Sequence, residues 1–176
     1  MFITFEGGDG AGKTTQIELL KAALEKEGRS VVVTREPGGN AVAEKIRELL
    51  LDRASIMEDM TEAYLYAAAR AEHVRAVILP ALARGQVVLC DRFIDSSVAY
   101  QGYGRQIGAG RVEALNREAV DGCMPERTYL LTLSEQDAAQ RVKNRGEVDR
   151  IESAGEAFAR RVQEGFLRIA AEHPER

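Results

Sequence analysis

The stretch Phe5-Glu6-Gly7-Gly8-Asp9-Gly10-Ala11-Gly12-Lys13-Thr14-Thr15 decides how this chain folds. It fits the pattern G-x-x-x-x-G-K-[ST], with Gly7, Gly12, Lys13 and Thr14 in the fixed places. A β-prone apolar run, Phe2 to Phe5, leads into it. After it, Ile17, Leu20, Ala23 and Leu24 recur at helical spacing, and Gly28 is a plausible stop. The expected local structure is therefore strand, tight loop, helix. Glycines let the backbone curl so that several N–H groups point at one anion, and the helix N-terminus adds its positive dipole end. Gly7, Gly8, Asp9, Gly10, Ala11, Gly12, Lys13, Thr14 and Thr15 are thus the expected cradle for a nucleoside triphosphate. Lys13 is placed to reach the β- and γ-phosphates, and the Thr14 hydroxyl to join a Mg²⁺ shell. The plainer reading is a flexible loop with a solvated lysine. The order of strand, loop and helix argues against it.

Moving outward, Ser30 to Thr34 (SVVVT) reads as a second strand, and Arg35 to Gly39 (REPGG) as a chain-breaking loop. Ala43 to Leu51 is helical by pattern. A longer helical stretch runs from about Glu58 to Arg84, with Pro80 as a kink or break. Gln86 to Cys90 is a third strand ending at Asp91. A Gly-rich segment follows, then a helix from Val112 to Val120 and a fourth strand from Thr128 to Leu133. Glu135 to Lys143 and Glu156 to Glu172 read as helices separated by a basic, Gly-containing connector. Strands alternating with helices imply βαβ units and a parallel sheet. No repeat, low-complexity tract or linker interrupts residues 1–176, so one domain is expected.

The phosphate loop alone leaves ATPases, GTPases and small-molecule kinases open, although no N-K-x-D guanine signature is present. Asp91 ends a strand expected beside the phosphate loop, where a carboxylate holds Mg²⁺ through water. Arg92, directly after it, suits an enzyme that binds a second phosphate group; a structural Asp–Arg pair is the alternative. Composition narrows the field. Of 176 residues, 45% are hydrophobic and 30% charged, an ordinary globular balance with room for one core. A net charge of -4 argues against a general affinity for nucleic acid. Cys90 and Cys123 have no paired-ligand spacing, so neither a disulfide framework nor a zinc site is expected. The N-terminus lacks a signal-peptide pattern and no apolar run has membrane-spanning length, so no membrane partner and a cytoplasmic location are expected.

Taken together, FEGGDGAGKTT, TREPGG, YLYAAARAEH, DRFIDSSVAYQGYGR and RGEVDRIE resemble the bacterial thymidylate kinases, in that family's order and spacing from Phe5 to Glu152. The resemblance implies the nucleoside monophosphate kinase fold, a parallel sheet of order 2-3-1-4-5 flanked by helices. It implies transfer of a phosphoryl group from ATP to dTMP, giving dTDP, with Mg²⁺, in a homodimer. Only four strands are countable here, and relatives continue past Arg176 with a further strand and helix. The last strand is therefore expected to be missing and the C-terminus truncated.

The resemblance also implies roles. Asp9 contacts the acceptor sugar's 3′-hydroxyl. The Tyr66 ring stacks on thymine, and Arg70, four residues on and on the same helix face, bonds the base's O4. Arg92 clamps the dTMP phosphate, Ser97 and Gln101 make polar contacts to thymine, and the Tyr100 ring excludes a ribose hydroxyl at C2′. Arg35 and Glu36 line the acceptor's phosphate side, unless Glu36 merely neutralises Arg35. Relatives with glycine at the place of Gly10 supply the catalytic cation from a lid. The lid expected here spans residues 141–155, and Arg145 and Arg150, flanking Gly146, join Lys13 and Arg92 as catalytic residues. A kinase for another nucleotide is the nearest rival. A regulatory P-loop ATPase leaves Asp9 and the Tyr66/Arg70 pair without a purpose.

Overall fold

The computed structural model describes residues 1–133 and 150–176. Four strands, β1 (Phe2–Glu6), β2 (Val31–Arg35), β3 (Val87–Asp91) and β4 (Arg127–Leu130), form a parallel sheet in the order β2-β3-β1-β4. That is the expected order for the strands described. β1 is buried along its length, and so is β3 up to Asp91, which explains their continuous apolar runs. Alternate side chains serve the two faces. Phe2, Val88 and Cys90 join the larger core under Phe93, Val98, Val112, Phe158, Val162 and Phe166, while Ile3, Phe5, Val87 and Leu89 close on Ile17. Register sets the functional edge: Phe5 and Arg35 both pair with Asp91, so three strands end level with one another.

The helices are α1 (Lys13–Lys26), α2 (Ala41–Leu51), α3 (Asp59–His73), α4 (Leu79–Ala83), α5 (Ile94–Ser97), α6 (Ala109–Val120) and α7 (Glu156–Glu172). Asn40 caps α2, its side chain accepting from the Ala43 amide at 2.9 Å. The long helix expected from Glu58 to Arg84 is three pieces, because a π-helical turn, Val74–Ile78, separates α3 from α4. Pro80 lacks an amide proton and its ring crowds the carbonyl four residues back, which favours the wider turn ahead of it.

The Gly-rich stretch after β3 is not a loop. It folds as α5 followed by a π-helical segment, Val98–Gly104. Its glycines are packing residues. A Cβ on Gly104 would sit 2.7 Å from the Phe158 ring and 2.9 Å from Val162 on α7. The strand and helix bounds otherwise agree with the expected ones to within a few residues. The helix expected at Glu135 to Lys143 lies outside the described residues.

Candidate active site

The loop between β1 and α1 is a curled cradle. Gly7, Gly10 and Gly12 have φ of 128°, 76° and 92°. At Gly7 nothing larger fits, since a Cβ would lie 2.2 Å from the Leu131 carbonyl oxygen. The first turn of α1 carries no acidic residue and no side-chain cap, so its amides are left for an anion. Lys13, only 7% exposed, folds back to donate to the carbonyls of Gly7 (3.2 Å) and Gly8 (3.0 Å). Burial, with the Arg92 cation nearby, brings its ammonium down to about 8. Thr14 and Thr15 are exposed at the mouth of the loop.

Asp91 Oδ1 is buried without a hydrogen-bond partner and lies 4.0 Å from Lys13 Nζ. An unpartnered carboxylate oxygen beside the phosphate loop fits a Mg²⁺ ion bound through water. Among the described residues no group of three or more His, Cys, Asp or Glu forms a metal cage, so such an ion would draw its other ligands from Thr14, water and phosphate.

Arg92 follows Asp91 with a left-handed backbone, φ 68°. This conformation is uncommon outside glycine and is concentrated at functional sites. Its guanidinium donates to the Gly7 carbonyl (2.9 Å), Ser96 Oγ (3.1 Å) and Asp9 Oδ1 (2.9 Å), and stands 5.2 Å from the Tyr100 ring centre. Its ion-pair partner is Asp9, not Asp91. The Tyr100 hydroxyl donates to Asp9 Oδ2 at 3.4 Å. Burial pushes the phenol above its usual range; the Arg92 cation partly offsets this and the Asp9 carboxylate reinforces it.

Glu6, at the end of β1, holds this turn from below. Its carboxylate accepts from the Phe93 amide (2.7 Å) and Ser96 Oγ (2.5 Å). Burial and the nearby Asp95 carboxylate raise Glu6 to about 7.

One cleft beside the cradle is lined by Asp9, Glu36, Tyr66, Arg70, Arg92, Ser97, Tyr100 and Gln101, together with Pro37, Arg47, Leu51, Ser96 and Ile151. Every acceptor-side residue of the resemblance except Arg35 therefore faces a single space, although four separate segments supply them: the phosphate loop, the loop after β2, α3 and the stretch from Arg92 to Gln101. Arg70, 2% exposed, is no surface residue. Its Nε donates to Glu36 Oε2 (2.6 Å), Nη1 to Ser97 Oγ (2.9 Å) and to Asn116 Oδ1, and Nη2 to the Phe93 carbonyl (2.9 Å). Glu36 does not neutralise Arg35, which pairs instead with Glu44 at 2.9 Å.

Gln101 donates to Glu62 Oε1 (2.9 Å), a buried carboxylate that also accepts from Arg105 Nη2 (3.0 Å) and pairs with Arg150 Nη2 (2.6 Å). Burial pushes this carboxyl up, but the hydrogen bonds from Arg105 and Gln101 outweigh it and hold the group below its usual range. Arg150 Nε also donates to the Leu50 carbonyl (2.8 Å). The guanidinium of Arg150 thus rests on α2 and α3; to act on a phosphoryl group it must leave them. Arg145 lies outside the described residues.

Glu6, Glu62, Ser96 and Asn116 escape sequence reasoning. Glu6 carries a faint signal in standing directly before the phosphate loop. Asn116 carries none, being one polar residue on an ordinary amphipathic helix.

The sequence model of the thymidylate kinase family matches residues 5–176. The thymidylate kinase of Exiguobacterium sibiricum is 51% identical over 99% of this chain and 83% of its own length. That of Caldanaerobacter subterraneus subsp. tengcongensis is 47% identical over 99% of this chain and 84% of its own. Among solved structures, the crystal structure of thymidylate kinase from Ehrlichia chaffeensis superposes with a TM-score of 0.81 at 38% identity, covering 100% of this chain and 87% of that one.

Proposed function

The chain belongs to the thymidylate kinase family, whose reaction is phosphorylation of dTMP to dTDP with ATP as donor, and from that premise we propose how its residues carry out the transfer. The carrying observation is the single cleft that joins Asp9, in the phosphate loop, to Tyr66, Arg70, Ser97 and Gln101. A donor held in the loop and an acceptor held in the cleft meet at Asp9 and Arg92, so binding itself brings the reacting atoms together.

The loop amides and Lys13 hold the β- and γ-phosphates of ATP. Lys13 exchanges its two loop carbonyls for phosphate oxygens. Thr14, and Asp91 through water, would hold Mg²⁺, which would neutralise charge on the donor phosphates. Tyr66 stacks on thymine, while Arg70, Ser97 and Gln101 read its edge. Arg92 holds the acceptor phosphate as a fork, and Asp9 takes the 3′-hydroxyl. The transfer needs no general acid, since positioning and charge stabilisation supply the rate. Arg145, from the expected lid, adds positive charge at the transferring group, and Arg150 anchors the root of that segment on Glu62. A homodimer in the cytoplasm is the working assembly. No helix among the described residues is long and apolar enough to cross a membrane.

A coupled assay of ADP release with dTMP, dUMP, dCMP, dAMP and thymidine tests this. Turnover is expected to need both Mg²⁺ and dTMP, and Lys13→Ala is expected to remove most of it. Equal turnover without an acceptor, or an unaltered rate in Lys13→Ala, would overturn the assignment of roles.

A further inference from the structure

His73 and Gly39 are left without a purpose by the account above. His73 ends α3 and is 0% exposed. Its Nδ1 lies 2.8 Å from Glu36 Oε1 and its Nε2 2.7 Å from Thr34 Oγ1. With the ring proton on Nδ1, His73 donates to Glu36 and accepts from the Thr34 hydroxyl. The ring fits only because Gly39 has no side chain: a Cβ there would lie 2.5 Å from His73 Cδ2, 2.6 Å from Nε2 and 2.8 Å from Thr34 Oγ1. The second glycine of the REPGG loop thus opens the slot that the imidazole occupies.

The other oxygen of Glu36 holds Arg70 Nε at 2.6 Å. Both groups are almost fully buried, at 3% and 2% exposure. Among the described residues, the bonds to Glu36, Ser97, Asn116 and Phe93 use four of the five N–H groups on Arg70. One N–H on Nη2 remains, on a guanidinium that lines the acceptor cleft. A fork held on four sides points its last donor in one direction, which favours a ligand acceptor atom there and penalises a donor.

We propose that His73 is a positioning residue for acceptor selectivity: seated in the slot left by Gly39, it fixes the Glu36 carboxylate and so aims the one remaining N–H of Arg70 at the base. This rests on the reading that Arg70 contacts the pyrimidine edge. The device favours a pyrimidine with a carbonyl at position 4 over one with an amino group there. His73 acts through Glu36 and touches no substrate.

The test compares kcat/KM for dTMP and dCMP in the intact enzyme. His73→Asn keeps an amide N–H near the place of Nδ1, whereas His73→Gln keeps a polar atom near Nε2 and loses the donor to Glu36. The dTMP preference is expected to fall about tenfold in His73→Gln and to be largely kept in His73→Asn, with KM for dTMP rising and KM for ATP within about twofold. A purely structural role would lower thermal stability in both variants and leave the preference alone, and that result overturns the proposal. Arg70→Gln is run alongside. If it leaves the preference unaltered, the reading of Arg70 fails and the proposal with it. If Arg70→Gln lowers the preference and His73→Gln does not, the proposal alone fails. Thr34→Val frees one side of the ring with little change in volume. It carries the test should either His73 variant not fold, with a smaller fall in the same direction expected.

Discussion

The guanidinium of Arg92 and the carboxylate of Asp9 meet at 2.9 Å, bridging two segments 83 residues apart in sequence. One belongs to the phosphate loop and the other to the turn after β3, so the loop and the cleft beside it share an ion pair. Each partner therefore holds the other in place before any substrate arrives.

Arg92→Lys keeps the charge and loses the fork, so it is expected to lower kcat/KM for dTMP about 10²-fold, or about 2.7 kcal/mol. Asp9→Asn should cost less. Because the two side chains touch, the double variant should lose less than the sum of the single losses, with a coupling of about 1 kcal/mol. Steady-state kinetics on the four enzymes gives that coupling directly. Strict additivity would mean that the pair does not act as a unit.

Glu6 predicts a pH dependence of stability. Its carboxyl, near 4.5 in the unfolded chain, is raised to about 7 in the fold by burial and by Asp95. The native state therefore binds more protons than the unfolded state between those values. The contribution is fully present below about 4.5 and is lost as pH rises through about 7. At 1.36 kcal/mol per pKa unit, the contribution is on the order of 3 kcal/mol. Glu6→Gln imitates the protonated acid, with its oxygen for the Phe93 amide and its amide for Ser96. Denaturant unfolding at pH 5 and pH 8 is expected to show the variant gaining on the parent as pH rises. Parallel pH profiles would place the ionisation of Glu6 outside this window.

Tyr100 separates two roles that one side chain combines. Its ring lies against Arg92 and its hydroxyl reaches Asp9 at 3.4 Å. If the ring excludes a ribose hydroxyl, Tyr100→Phe keeps the preference for deoxynucleotides and Tyr100→Ala relaxes it about tenfold or more. The ratio of kcat/KM for dTMP to that for ribothymidine monophosphate decides. A preference lost in Tyr100→Phe would assign selectivity to the hydroxyl instead.

The phosphate loop and the parallel order were legible because both rest on short-range rules. Fixed glycine spacing makes an anion cradle, and alternation of apolar runs with helical patterns makes βαβ units. Gly102 and Gly104 left the segment after β3 without an assigned element for a physical reason, since glycine marks close approach as well as turns. Here Gly104 admits the Phe158 ring. Nothing local in the sequence singles out His73, because its partners, Thr34 and Glu36, are 39 and 37 residues away. Glu62 is a similar case: as one acid on a charged helix it reads as solvated, and only tertiary packing gathers Gln101, Arg105 and Arg150 around it. That Asp9, Tyr66, Arg70, Ser97 and Gln101 share one cleft was suggested by the order of several motifs together, not by any one pattern.

The last prediction concerns which lid arginine meets the phosphoryl group. Arg150 and Arg145 entered as equals, flanking Gly146, but Arg150 has a place in this conformation. It is salt-bridged to Glu62 at 2.6 Å and bonded to the Leu50 carbonyl, next to Ile151, which lines the acceptor cleft. Leaving Glu62 would strip a buried carboxylate of one of its two guanidinium partners, and losing a hydrogen bond to a charged group costs about 1.5–3 kcal/mol. The inserted cation is therefore expected to be Arg145, with Arg150 anchoring the root of the lid. Arg145→Ala should lower kcat more than about tenfold, roughly 1.4 kcal/mol of barrier, with KM for dTMP little changed. Arg150→Ala should instead raise KM for dTMP, because it loosens Glu62, Gln101 and the Ile151 wall together. Glu62→Gln should reproduce the Arg150→Ala pattern, since it weakens the same clamp from the other side. Should Arg150→Ala lower kcat and leave KM unaltered while Glu62→Gln changes neither parameter, Arg150 must leave its clamp during turnover, and the assignment of the two arginines is reversed.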